Sequence, residues 1–175
     1  MKMLALATAA VLAVVSFSAD AHGPTRRKVK ETVEINAPAA KVWAVVGNFQ
    51  DMSWLPPVEK TEGKGGNGDK ATRVLTLKGG ATVEEELSKY VDGKSYSYRI
   101  DKVDVKVLPV NNYSSTIEVE PNGDKTTVTW SGAFYRGYMN NDPPPELNDE
   151  AAEKAVKGLY RTGLDALKAK VEKGS

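Results

Sequence analysis

The sequence predicts an α+β domain in which a curved antiparallel sheet of about seven strands wraps around one long C-terminal helix. Three observations predict it. Six strand-like runs between Val58 and Tyr135 are separated by turn chemistry, including Asp92-Gly93 and Asn122-Gly123, the dipeptides of tight hairpins. A further alternating run precedes them, and one long helical repeat closes the chain. No internal repeat or linker divides the 175 residues, a length suited to a single domain.

Residues 1–21 have the form of an export signal. Met1-Lys2-Met3 is a short positive start, and Leu4 to Phe17 is apolar apart from Thr8 and Ser16. Ser18-Ala19-Asp20-Ala21 then supplies a small-residue site for cleavage after Ala21. The apolar run is too short to span a bilayer comfortably, so no membrane anchor is expected once the signal is removed. The absence of a cysteine at the cleavage point excludes a lipoprotein.

Residues 22–28 are polar and basic, and are expected to form a flexible arm. Val29 to Ile35 alternates as a first strand. Asn36-Ala37-Pro38 punctuates the chain, Pro38 suiting the first turn of a helix whose apolar stripe is Val42, Trp43, Val45 and Val46. Phe49 to Trp54 fits a second short helix, stopped by Pro56-Pro57.

The six later strands are placed at Val58–Gly63, Thr72–Leu77, Thr82–Val91, Ser95–Val103, Tyr113–Glu120 and Lys125–Tyr135. Asn140 to Pro145 is one long irregular loop, and Glu146 to Glu172 is the long helix. Its apolar face carries Val156, Leu159, Tyr160, Gly163, Leu167 and Val171, while lysines crowd its C-terminal half, where the helix dipole favours them. A glycine on that face points either to a close approach of helix and sheet or to room for a ligand.

Composition removes whole classes of chemistry. With no cysteine there is no disulfide scaffold, thiolate zinc site, Fe–S cluster or thiol nucleophile. One histidine removes every multi-histidine metal site and any Ser-His-Asp arrangement that does not use it. That residue, His22, would become the mature N-terminus, where copper chelation needs a second histidine that the chain lacks. Asp142, Glu146, Asp149, Glu150 and Glu153 cluster without the ligand alternation or glycine of a calcium loop. No metal and no cofactor are therefore expected. A formal charge of +1 gives no general drive toward nucleic acid.

Strand parity points Glu85 inward with Val83 and Leu87, and turns Glu84 and Glu86 to water. An inward carboxylate can serve as an acid, a base or a polar anchor, or it can sit at an open mouth or pair with a lysine or arginine. Tyr96, Tyr98 and Ile100 share a face, as do Tyr113, Ser115, Ile117 and Val119, and then Val128, Trp130 and Phe134. If those faces turn inward they either line an apolar pocket with a few hydroxyls or pack as a core. The candidate cavity residues are Glu85, Leu87, Tyr98, Tyr113, Ser115, Trp130, Tyr160 and Gly163. Trp54 belongs near the mouth or in ordinary helix packing.

Ala37-Pro38, Val42-Trp43, Asn48-Phe49, Met52, Trp54 and Pro56 together resemble the opening of the helix-grip, START-like superfamily, which holds polyketide cyclase/dehydrase-like proteins. Glu85-Glu86-Leu87, Tyr96 to Ile100, Asn112 to Ser115 and Val128 to Ser131 resemble its usual strands, so the likeness covers residues 29–172. The fold it implies is the helix-grip fold, with two short helices after the first strand. That fold carries enzymes, carriers and receptors alike.

A narrower likeness is to the periplasmic accessory proteins of bacterial methanol oxidation, the MxaD type. It rests on the basic start from His22 to Arg27 and on Asn111-Asn112-Tyr113-Ser114-Ser115. It implies a periplasmic, non-catalytic helper that assists the contact of a quinoprotein methanol dehydrogenase with its cytochrome c. The partner surface would then be the arm, Arg26, Arg27 and Lys28, with the loop that includes Tyr138 and Asp142. Two further functions stand beside it: a binder of a small apolar ligand, and a cyclase/dehydrase-type enzyme using Glu85 with Tyr98 or Tyr113.

Overall fold

The structure is a computed structural model that describes residues 23–174; the expected signal and His22 lie outside them. In chain order the elements are β1 (Arg27–Ile35), α1 (Ala39–Val46), β2 (Val58–Lys64), β3 (Thr72–Leu77), β4 (Thr82–Val91), β5 (Ser95–Val103), β6 (Val110–Asn122) and β7 (Lys125–Arg136). A 3-10 turn (Pro145–Leu147) then leads into α2 (Asp149–Lys173). The strands form one antiparallel sheet of seven in the order β1-β7-β6-β5-β4-β3-β2.

Hairpins connect β2 through β7, so each strand lies beside its predecessor. Gly93 and Gly123 take the left-handed backbone (φ 71° and 61°) in the three-residue turn after β4 and the two-residue turn after β6. Only β1 departs from that order, returning to pair with β7, Val33 opposite Val128. The sheet bends around α2, which packs chiefly on β1 and β7. This is the α+β helix-grip architecture expected from the sequence.

The long helix begins where Asn148 caps it, its side chain accepting a hydrogen bond from the Ala151 N–H at 2.8 Å. Asp149 and Glu150 sit in its first turn and Lys170 and Lys173 in its last, matching the dipole at both ends. Its buried face is Ala152, Val156, Tyr160, Gly163, Leu164, Leu167 and Val171. A methyl group on Gly163 would stand 2.7 Å from Trp130 and 2.8 Å from Leu55, so the glycine serves a close helix approach.

Three expectations are corrected. Phe49 to Trp54 is a run of turns and not a second helix. Asn48 and Asp51 accept the backbone N–H groups of Gln50 and Ser53 (3.0 and 2.8 Å), and Thr61 takes that of Met52, so side chains claim the donors a helix would need. Arg27 and Lys28 belong to β1 and not to an arm, because β7 offers a free edge as far as Phe134. The helix expected from Glu146 starts at Asp149, the 3-10 turn after Pro144 preceding it.

Candidate functional site: a cavity between an ion pair and a hydroxyl chain

The inward faces of β3 to β7 and the underside of α2 leave a cavity of about 220 Å³. Met52, Leu55, Leu75, Val83 and Leu159 supply apolar wall, and Pro57, Leu77, Val107 and Leu108 line it as well. Glu85, Tyr98, Tyr113 and Trp130 are the lining residues with polar groups on their side chains. Leu87, Ser115, Tyr160 and Gly163 are buried too but stand behind the wall or in the packed core. Trp54 is 3% exposed and packs against Trp130 at 5.6 Å between ring centroids, which makes it a core residue.

Glu85 faces inward, and its partner is Arg73. The two are register neighbours on β3 and β4, with Arg73 Nε donating to Glu85 Oε2 at 2.6 Å. Their side chains are 0% and 5% exposed, so the pair is taken out of water almost entirely. Arg73 Nη1 donates to the Phe49 carbonyl at 2.8 Å, a contact available because the segment after α1 is turns. Its guanidinium lies 4.1 Å from the Phe49 ring centroid and 4.9 Å from that of Tyr98. Among the described residues, Arg73 Nη2 and the Tyr96 hydroxyl are buried without a hydrogen-bond partner.

Burial pushes the Glu85 carboxyl above the ordinary carboxylate range, while the Arg73 charge works to lower it. Burial also works against the Arg73 charge, but Glu85, Tyr96 and Tyr98 hold the guanidinium above its ordinary value. The pair is thus a fixed dipole at one end of the cavity, with Glu85 on the wall and Arg73 behind it. Arg73 was missed in the sequence: a two-residue Gly79-Gly80 turn would set Val74 opposite Glu85, whereas the loop is Lys78-Gly79-Gly80, closed by the Leu77 N–H on the Ala81 carbonyl at 2.8 Å, and this register sets Arg73 there.

At the other end the polar groups are neutral. Tyr113 and Tyr160 share a hydrogen bond of 2.5 Å, Tyr160 and Ser115 one of 3.1 Å, and Trp130 Nε1 donates to Ser115 Oγ at 2.8 Å. Ser115 in turn donates to the Ser131 carbonyl at 2.9 Å. Tyr160 stacks on Trp130, with centroids 4.4 Å apart and planes at 13°. Gly132 makes room for this, since a methyl group there would collide with the Tyr160 hydroxyl. Burial raises all three phenols near this end: Tyr98 and Tyr113 well above their ordinary value, and Tyr160 to about 12.

The surface residues fall elsewhere. Arg26 Nη2 donates to Ser114 Oγ at 3.0 Å and lies over the Tyr135 ring, and Arg27 is salt-bridged to Glu153. Lys28 is exposed, and with Lys30 it borders a shallow, hydroxyl-rich depression on the outer face of the sheet. Tyr138 is half-buried, its N–H bonded to the Leu147 carbonyl at 3.1 Å, and Asp142 is exposed with a left-handed φ of 55°. The loop that holds both is organised by Arg136, unforeseen in the sequence, which donates to the carbonyls of Tyr138 and Asn140 at 2.7 and 2.9 Å. Among the described residues no three acidic or histidine side chains converge as a metal site.

A family model described as polyketide cyclase / dehydrase and lipid transport matches residues 26–172. An uncharacterised protein from Bacillus thuringiensis is 30% identical, with a TM-score of 0.70 over 83% of this chain and 98% of its own. The protein XoxI from Bacillus cereus is 30% identical, with a TM-score of 0.69 over 82% and 94%. An aromatase/cyclase from a Streptomyces species is 19% identical, with a TM-score of 0.65 over 85% and 94%, and shares the fold. No curated protein sequence matches the chain.

Proposed function

From the premise that the chain belongs to the polyketide cyclase/dehydrase and lipid-transport family, we propose that it binds a small, mostly apolar ligand between α2 and the sheet. The observation that carries this is the cavity of about 220 Å³, apolar in its bulk and provided with a few convergent polar groups. Its size limits the guest. An apolar cavity of ~150 Å³ accepts benzene, and drug-sized sites begin near ~300 Å³, so one or two fused rings fit here.

The Arg73–Glu85 contact favours binding over proton transfer by Glu85. A carboxylate held by a buried guanidinium at 2.6 Å is anchored as an acceptor, and its protonation breaks the pair. Native mass spectrometry of protein purified from its own host tests the reading. A bound mass that disappears in Ala155→Trp, which fills the cavity from α2, supports it. Ligand-free protein that also takes up no naphthalene overturns it.

The helper role in methanol oxidation is a second proposal, and it is supported by a different surface. Lys28 and Lys30 stand exposed side by side on the outer face of β1, free of the pairing that occupies Arg26 and Arg27. Such charges steer an acidic partner, and steering falls with ionic strength. The reading requires export, so it expects a mature N-terminus after Ala21. It also expects low-salt binding to methanol dehydrogenase or its cytochrome c that Lys28→Glu abolishes. No contact with either protein at low salt overturns it.

A further inference from the structure

We infer that the cavity selects a ligand carrying a hydrogen-bond donor, a phenol or alcohol rather than an ether or a carboxylate, and that Ser115 and Tyr160 set this preference from behind the wall. The inference rests on the ligand-binding reading above and adds the ligand's polarity. It follows from counting protons. The Ser131 carbonyl can only accept, so the Ser115 hydroxyl spends its one proton there. Ser115 must then accept in its contact with Tyr160, so Tyr160 donates to it. With that proton spent, Tyr160 must accept from Tyr113. The chain therefore runs in one direction: Tyr113 to Tyr160 to Ser115 to the Ser131 carbonyl.

The consequence reaches the cavity. Tyr113 and Trp130 line it, yet the O–H of one and the N–H of the other are both committed to residues outside the lining. The polar capacity left on the wall is the oxygen of Tyr113, the second oxygen of Glu85 and the hydroxyl of Tyr98. Two of these three accept only. A guest's hydroxyl proton has three acceptors, the Tyr98 oxygen included, whereas a guest's carbonyl or ether oxygen has only the Tyr98 proton. A guest carboxylate would meet the Glu85 charge, because the compensating guanidinium of Arg73 is not on the wall.

Binding of naphthalene, naphthol, methoxynaphthalene and naphthoate, followed by calorimetry and by quenching of tryptophan fluorescence, tests the inference. Naphthol is expected to bind about tenfold more tightly than methoxynaphthalene, the equivalent of ~1.4 kcal/mol, and naphthoate more weakly than naphthalene. Tyr160→Phe removes the acceptor for Tyr113 and frees its proton for the cavity. Ser115→Ala frees the Tyr160 proton to turn back on Tyr113, with the same result. Each variant should lower the naphthol-to-methoxynaphthalene affinity ratio about tenfold, whereas a purely structural role would weaken both probes alike. Tyr160→Phe keeps the ring stacked on Trp130 and serves if Ser115→Ala does not fold. Naphthalene, naphthol and methoxynaphthalene binding equally would overturn the donor preference and leave the cavity reading standing. An unchanged ratio in a folded Tyr160→Phe protein would overturn the roles of Tyr160 and Ser115. No binding by any probe would overturn both.

Discussion

The two ends of the cavity solve the same problem in opposite ways. The hydroxyl chain at Tyr113, Tyr160 and Ser115 is neutral, and each of its protons has an acceptor. The Arg73–Glu85 pair is charged, and one guanidinium nitrogen is left over. A satisfied neutral network costs little to bury, whereas a buried ion pair must recover the desolvation of both charges. The first end can be retained for the fold alone. The second is of a kind that an apolar pair of equal volume often replaces at no cost to the fold.

Splitting the pair gives the largest expected effect. Arg73→Met strands the Glu85 carboxylate and should cost about 3–5 kcal/mol in urea unfolding. The double variant Arg73→Met with Glu85→Leu should recover most of it, and can exceed the original protein by about 1–4 kcal/mol. A single variant that costs under about 1 kcal/mol would break the contrast, since the end would then not be charged in the folded protein.

Alkaline titration probes the neutral end. Its phenols have folded values raised above the ordinary ~10, Tyr160 to about 12. A group raised in the folded state contributes stability that is complete below its unfolded value and is lost as pH rises through its folded value. Stability should therefore hold to about pH 10 and fall through about 12, together with delayed tyrosinate absorbance. For Tyr160 alone the loss is of order 3 kcal/mol. Tyrosinate that forms in the folded protein near pH 10 would show these hydroxyls to be wet.

Gly163→Ala sharpens the steric side. Helix propensity favours the change by about 1 kcal/mol, but the new methyl presses on Trp130, which cannot slide while Tyr160 stacks on it. Overpacking of this kind costs about 1–3 kcal/mol, so a net loss of about 1 kcal/mol in thermal or urea unfolding is expected. A gain would mean that the helix stands off farther than its buried face implies. Tyr160→Phe should cost about 1–2 kcal/mol, since the hydrogen bonds to Tyr113 and Ser115 are lost while the ring contacts remain. A loss above about 3 kcal/mol would show the chain to be cooperative well beyond its pairs.

Much of this was legible in the residues. The bounds of β3, β4 and β5 follow from alternation and the glycine turns, because a strand with one buried face repeats every two residues. The same parity put Glu85 inward and set Tyr98, Tyr113 and Trp130 on candidate inner faces, and all four line the cavity. The short segment after α1 was not legible as turns, because its apolar spacing suits a helix while Asn48 and Asp51 spend its donors locally. Parity also could not tell Tyr113 on the wall from Ser115 and Tyr160 behind it.

The sequence by itself determined the strand pattern, a long last helix, the inward carboxylate and a domain without cysteine or internal histidine. These are local properties: periodicity, turn chemistry and residue type act over a few neighbours. Tertiary structure alone decided that Arg73 meets Glu85, that α2 leaves a gap over β3 to β6 while closing on Trp130, and that three hydroxyls share one direction. Those depend on the bend of the sheet and the height of the helix above it. Both are fixed by distant glycines and bulky rings packing at once, and no window of the chain contains them together.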